Sequence, residues 1–501
     1  MCAMDRRRFL HHLAHTGVAL GAMGSMGGLL RNAHAVQLLS SDSALNDYRA
    51  LVCIDLKGGN DGFNTIIPTG AGTGANSYED YKAARGGVYH ANNNAQGVAL
   101  PESDILSLST ASGQPQLGIH NSMPEVRQLF NRGKASIVAN VGTLVRPTNK
   151  SDYQNTTHPL PAHLFSHSDQ QVLWLAPNAD SRLRQGWGGR LADRFSASNA
   201  NADLPMNISA GGENVFQVGN QSIPFFVRGK GAVSLRFAPT PDGNCERSHG
   251  QCESFQNMLS HRYSHPLRQA NTDILARAIA RNALVDDALQ SVAITDTLFD
   301  PFWTAFGVPK SDDNFKRLPD IARQLFIIAR LIHVQSLLNM SRQTFYARMR
   351  GYDTHDAILS RQAELLAELS KSIGAFQQVL ANINMEDKVT TFTASEFGRT
   401  TSSNGDGTDH GWGSHHFVIG GAVNGRKLFG QLPDLSPQTD NPDNARWGQI
   451  IPTLATEQYA ATLSRWFGLA DADMNAVFPN LRYMKGSKLA IAGSNLGFMR
   501  L

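Results

Sequence analysis

Residues 358–380, ILSRQAELLAELSKSIGAFQQVL, constrain this chain more than any other stretch. Leu366, Leu369, Ile373, Phe376 and Leu380 recur at spacings of three and four, which places one apolar stripe along a helix. Before it, TFYARM (344–349) reads as a short strand; after it, VTTFTAS (389–395) reads as another. Two further runs, ALVCIDL (50–56) and KASIVANVG (134–142), are short and apolar, as buried strands are. Strand, helix, strand with buried strands is the pattern of an α/β fold, a central sheet flanked by helices. Residues 70–100, rich in Gly, Asn and Ala, read as loop. Between 203 and 253 short strands and turns take over, which predicts a β-rich insertion or cap, and 258–350 read as mainly helical. Residues 36–501 are expected to form one domain.

The first 35 residues read differently. Arg6, Arg7 and Arg8 precede Phe9-Leu10, a weakly apolar Gly-rich stretch follows, and it closes on Ala33-His34-Ala35. That order is a secretory signal of the twin-arginine kind, so the mature chain is expected outside the cytoplasm, periplasmic or secreted. No later run is apolar enough to span a bilayer. Removing 1–35 takes four arginines and one aspartate from 45 basic and 42 acidic residues, leaving 41 of each. A neutral mature chain gives no reason to expect nucleic acid as a partner. Cys245 and Cys252 close a short loop, CERSHGQC, and are expected to pair in an oxidising compartment. Cys53 lies in an apolar run and reads as a buried thiol.

Four polar clusters fall just beyond predicted strands or beside them. Sites in open α/β sheets form beyond the carboxyl ends of strands. The clusters are KGGNDGFN with Asp61; HLFSHSDQQ with His163, Ser166, His167 and Asp169; GYDTHD with Asp353 and His355; and SEFGRTTSSNGDGTDHGWGSHH with Glu396, Arg399, Asp409, His410, His415 and His416. Carboxylate with imidazole suits zinc, manganese or iron. Asp353 and His355, two apart, point to one side of an extended backbone and can chelate one ion. Ser166 can act as a nucleophile if a metal lowers its pKa, or simply cap a helix with Asp169 three residues on. Asp61 in a Gly-Asn-Asp-Gly run can simply make a turn. Arg399 can clamp a phosphate or sulfate, or pair with Glu396. His415 and His416 point opposite ways in a strand. No HExxH, GxxxxGK[ST] or GxSxG is present.

At LKGGNDGFNTIIP, GIHNSMPEVRQLFNRGKASIVANVG, GYDTHDAILSRQAELLAELSKSIGAF and the 395–430 block, the sequence resembles the bacterial family called domain of unknown function 1501. The resemblance implies an alkaline-phosphatase-like α/β fold, twin-arginine export and a site of one or two divalent metals. It matches Asp61, Asp353, His355 and His410 to ligand places of that superfamily, and Ser166 loosely to the nucleophile. Where the superfamily carries an Asp-His pair, this chain reads Glu396-Phe397; the carboxylate is kept, but phenylalanine cannot ligate a metal. The Ser-x-Pro-Ser-Arg pattern of sulfatases is missing, since SMPEVR has one residue too many before Arg127. The expectation is therefore a divalent-metal site, zinc or manganese, built from Asp61, Asp353, His355, Glu396 and His410. Ser166 or a water would attack a small-molecule or glycan ester of phosphate or a related acid, with Arg399 on the anion. The alternative is a non-catalytic relative that keeps the fold and binds a ligand or envelope partner.

Overall fold

The computed structural model describes residues 47–177, 184–195, 197–201, 203–233, 237–238, 245, 249–438, 440–484 and 495–501. The expected signal, residues 1–35, lies outside them. Residues Tyr48–Leu501 form one compact unit.

Its centre is a ten-stranded mixed sheet. The strands are β1 (Arg49–Lys57), β2 (Ala135–Gly142), β3 (Asn207–Ser209), β4 (Phe225–Arg228), β5 (Gly231–Ala232), β6 (Arg342–Arg350), β7 (Val389–Ala394), β10 (Ser414–Ile419), β11 (Leu428–Phe429) and β12 (Leu454–Ala455), with β8 (Arg399–Ser403) and β9 (Thr408–His410) forming a separate hairpin between β7 and β10. The order is β11-β2-β10-β7-β1-β6-β3-β4-β5, and β12 also pairs with β2. β1 lies parallel between β6 and β7, and β3 and β4 continue the parallel run beyond β6. β10 is antiparallel to both β7 and β2. A strand buried on both faces has no polar side to show, which is why ALVCIDL and VTTFTA read as unbroken buried runs.

Helices pack on the sheet: α1 (His167–Leu175), α2 (Asp320–His333), α3 (Ile358–Asn382) and α4 (Thr456–Phe467). The α3 stripe Leu366, Leu369, Ile373, Phe376 and Leu380 is fully buried, while α2, apolar nearly all round, is sandwiched against α3 and β6. The expected strand, helix, strand unit is thus β6-α3-β7, and the α/β reading holds.

Two expectations on organisation came out differently. The short strands in 203–253 do not stand apart as a cap: β3, β4 and β5 extend the central sheet past β6. Residues 70–100 contain a short helix, Tyr78–Ala84, because the Ser77 hydroxyl accepts the Asp80 N–H and caps it. Cys245 and Cys252 are joined in a disulfide with Cα atoms 5.6 Å apart, and Cys53 is a buried thiol. Among the described residues no helix is long and apolar enough to cross a membrane.

Candidate metal centre

β1, β6 and β7 are parallel, so the loops that leave them meet at one edge of the sheet. The loop after β1 opens with Gly58 and Gly59 at φ 120° and 87°, a region only glycine enters freely. A Cβ on Gly58 would fall 2.4 Å from the Asp353 nitrogen, and one on Gly59 2.3 Å from the Phe397 ring. Without side chains, the two residues turn their N–H groups onto Glu396, donating to Oε2 at 2.7 and 3.0 Å. Asn60 N–H donates to the Ser395 hydroxyl at 2.8 Å. The β1 and β7 loops are thereby locked together, with Asp353 between them.

Asp353 is the hub. Its Oδ1 accepts from Arg399 Nη1 at 2.8 Å and lies 3.0 Å from His355 Nε2 and 3.3 Å from His410 Nε2. Its Oδ2 lies 3.3 Å from His167 Nε2. Burial alone would raise the Asp353 pKa, but the Arg399 hydrogen bond and the charges of His167, Arg399 and His355 hold it below the usual carboxylate value. His355 Nε2 and His410 Nε2 are 3.0 Å apart.

Each of the three imidazoles faces an acceptor with its other nitrogen. His410 Nδ1–H donates to the Phe165 carbonyl at 2.7 Å. His355 Nδ1 lies 3.3 Å from Asp409 Oδ1, and His167 Nδ1 lies 3.5 Å from Glu396 Oε1. The Phe165 carbonyl fixes the His410 tautomer, so its Nε2 lone pair faces the Asp353 carboxylate, and the Nε2 atoms of His355 and His167 lie against the same carboxylate. Donors about 2.0–2.1 Å from a tetrahedral ion stand about 3.3 Å from one another. The donor atoms of His167, Asp353 and His410 all lie within 4.8 Å of each other, and the buried His167 Nε2 and Glu396 Oε1 lack a well-formed hydrogen bond. The donor set fits a divalent ion of the zinc type. Phe397 stacks on His410 with centroids 4.6 Å apart and lies 4.9 Å from His167, so it walls the imidazoles where a second ligand would otherwise project.

The structure gives several expected residues other surroundings. Asp61 does not join the cluster: its Oδ1 accepts from the N–H groups of Phe63 and Asn64 at the start of a short helix, and its Oδ2 pairs with the fully buried Arg85. Arg399 is not aimed at an anion, because it is buried with its donors spent on Asp353, Thr408 and the Gly58 carbonyl. Nor does it pair with Glu396, whose Oε2 is taken by the glycine N–H groups. The Ser166 hydroxyl turns back along its own helix to Asp169 Oδ2 at 2.8 Å. The following residue, His167, enters the cluster instead. His415 and His416 are buried in β10, against Phe63 and Trp174 respectively.

His167 is the member that sequence reasoning left out of the site. Its segment was among the polar clusters, but the Ser-x-x-Asp pattern drew attention to Ser166. His163 and Phe165 adopt φ 48° and 72°. That twist lets one segment supply both His167 and the carbonyl that anchors His410.

An α/β chain with such a cluster at the carboxyl edge of its sheet can now be set beside known proteins. Residues 327–475 match the model of a family described as "Protein of unknown function (DUF1501)", which supports the resemblance read from the motifs. The matched segment carries Asp353, His355, Glu396, Arg399 and His410, but not His167. Among solved structures, Ps i-CgsB in complex with k-i-k-neocarrahexaose is similar at 10% identity and a TM-score of 0.34, covering 86% of this chain and 74% of that one. The lipoteichoic acid synthase LtaP from Listeria monocytogenes is similar at 9% identity and a TM-score of 0.28, covering 81% and 75%. The PsFucS1 sulfatase from Pseudoalteromonas sp. is similar at 11% identity and a TM-score of 0.31, covering 93% and 76%. No curated protein sequence matches the chain.

Proposed function

We propose that this chain is an exported, metal-dependent hydrolase of phosphate or related esters, with one divalent ion, zinc or manganese, held by His167, Asp353 and His410. His355 is the fourth donor, reaching the same two neighbours from the more exposed side. The observation that carries the reading is the arrangement of three imidazoles, each facing an acceptor at Nδ1 and lying with Nε2 against one carboxylate. When bound, a divalent ion would supply a Lewis acid for the ester oxygen and lower the pKa of an attacking water. The chain's own residues do the rest. Arg399 holds Asp353 ionised and in place, Glu396 orients His167, and Phe397 keeps one side of the centre dry. Since Ser166 is turned toward Asp169, water is the attacking group in this reading. The twin-arginine pattern and the disulfide support export.

Metal content of the purified mature protein tests it, measured by elemental mass spectrometry beside a His355→Ala, His410→Ala double variant and a His167→Ala variant. About one equivalent in the wild type and none in the variants is the expected outcome. No uptake even after incubation with zinc or manganese removes the hydrolase reading. In that case the 3.0 Å Nε2–Nε2 contact is an ordinary hydrogen bond within a closed polar network. The chain is then a non-catalytic binder with a hydrolase-like fold.

A further inference from the structure

A cavity of about 900 Å³ opens at the same sheet edge, on the β3 side of β6. Its walls are the β3 exit at Gly211 and Gly212, the β4–β5 turn, the first turns of α2, and the end of β6. Met349 and Arg350 line it, and Asp353 follows Arg350 by three residues, at most about 11 Å of extended chain. A polar thread joins the two places. Arg348 lies against the cavity and attracts the buried Asp55, whose carboxylate accepts from Tyr346 Oη at 2.6 Å and from Gln171 Nε2 at 3.2 Å. Gln171 is one turn along α1 from His167.

Cations outnumber carboxylates on the cavity wall, six to four. Lys230 is paired with Asp312, and Arg323 with Asp320 at 2.9 Å. The side chains of Arg228, Lys316, Arg348 and Arg350 have no hydrogen bond or ion pair among the described residues. Two carboxylates oppose them: Asp313 is exposed, and Glu368 is held toward its neutral form by burial and by Asp320. Guanidinium groups left unpaired in a concave wall match sulfate and phosphate in charge and in fork geometry.

We propose that this cavity is a subsite for the anionic groups of an extended ester whose reacting group lies at the metal centre. The substrate class is then a polyanion carrying several sulfate or phosphate groups, not a small monoester. The assignment of a substrate rests on the hydrolase reading; the binding of a polyanion does not, and the experiment separates them. The mature full-length chain carrying His410→Ala, and so lacking the proposed ion, is titrated calorimetrically with dextran sulfate, with polyphosphate and with neutral dextran. The same titrations are run after adding Arg348→Ala and Arg350→Ala.

The expected result is binding of dextran sulfate or polyphosphate, weaker at higher salt, that falls at least about tenfold when both arginines are removed. Neutral dextran should not bind. Equal binding with and without the arginines, or no binding of either polyanion, overturns the proposal. Arg350→Glu, a single change at an exposed side chain, serves as the second variant if the double change fails to fold. Loss of the hydrolase reading alone would appear as arginine-dependent binding in a protein whose wild type takes up no metal.

Discussion

Glu396 is not among the donor group of His167, Asp353 and His410, yet its carboxylate lies 3.5 Å from His167 Nδ1. Its Oε2 is fixed by two glycine N–H groups, leaving Oε1 for His167. Glu396→Gln should keep the metal but weaken its affinity by about 10- to 100-fold, as losing an outer partner of a ligand does. Competition with a chelator of known affinity measures this. If the variant instead loses metal as completely as His410→Ala, Glu396 is itself a ligand. Asp353, His355 and Glu396 stood out in the sequence because they follow strongly patterned strands within a few residues, and His410 because it sits beside an aspartate in a Gly-rich run. Glu396, expected as a ligand, faces the glycine N–H groups and His167 instead. Arg399 was misread because its burial is a tertiary property, invisible in a run of glycines, serines and threonines. Asp61 looked like a ligand because its partner, Arg85, is 24 residues away in a segment with no periodic signal.

The β1 exit loop is the element on which the centre depends. Gly58→Ala would put a methyl group against the Asp353 backbone, which cannot swing aside as a side chain can. We expect a loss of about 2–4 kcal/mol in denaturant unfolding, combining backbone strain with overpacking, and a fall in metal uptake. Gly133→Ala is the control: it has φ 76° but nothing within 4 Å, so it should cost about 1–2 kcal/mol and leave metal uptake intact. Similar losses for both would mean that the close approach at Gly58 contributes nothing. At this scale the sequence was informative about β1, β2, β6, β7 and α3, whose apolar patterns are continuous. It was less so about β3 to β5, because two- to four-residue strands have too few positions to reveal which sheet they join.

For the molecule as a whole, three buried histidines set an acid limit. Burial depresses His120 and His415 to about 4 and His416 to about 3. In the folded state they stay neutral, whereas the unfolded chain takes up protons near pH 6.5. The unfolded state therefore binds more protons in this window, and stability, full above pH 6.5, falls as the pH drops toward 4. Each contributes on the order of 3 kcal/mol across that range. Denaturant midpoints measured from pH 7 to 4 should decline steeply, and less steeply in His415→Gln. An unchanged slope in that variant would mean that His415 is not neutral in the native protein.

The residues of the cluster come from distant parts of the chain: His167 on α1, Asp353 and His355 after β6, His410 on β9. Asp353 and His355 are neighbours in sequence, but His167 and His410 do not reach them until the sheet is assembled and the β1 glycines have closed on Glu396. On the metal reading, a partly assembled sheet has nowhere to retain an ion, so occupancy would act as a certificate of completed assembly. An ion that binds only the native chain would also deepen its free-energy well, and so act as a latch on the last step.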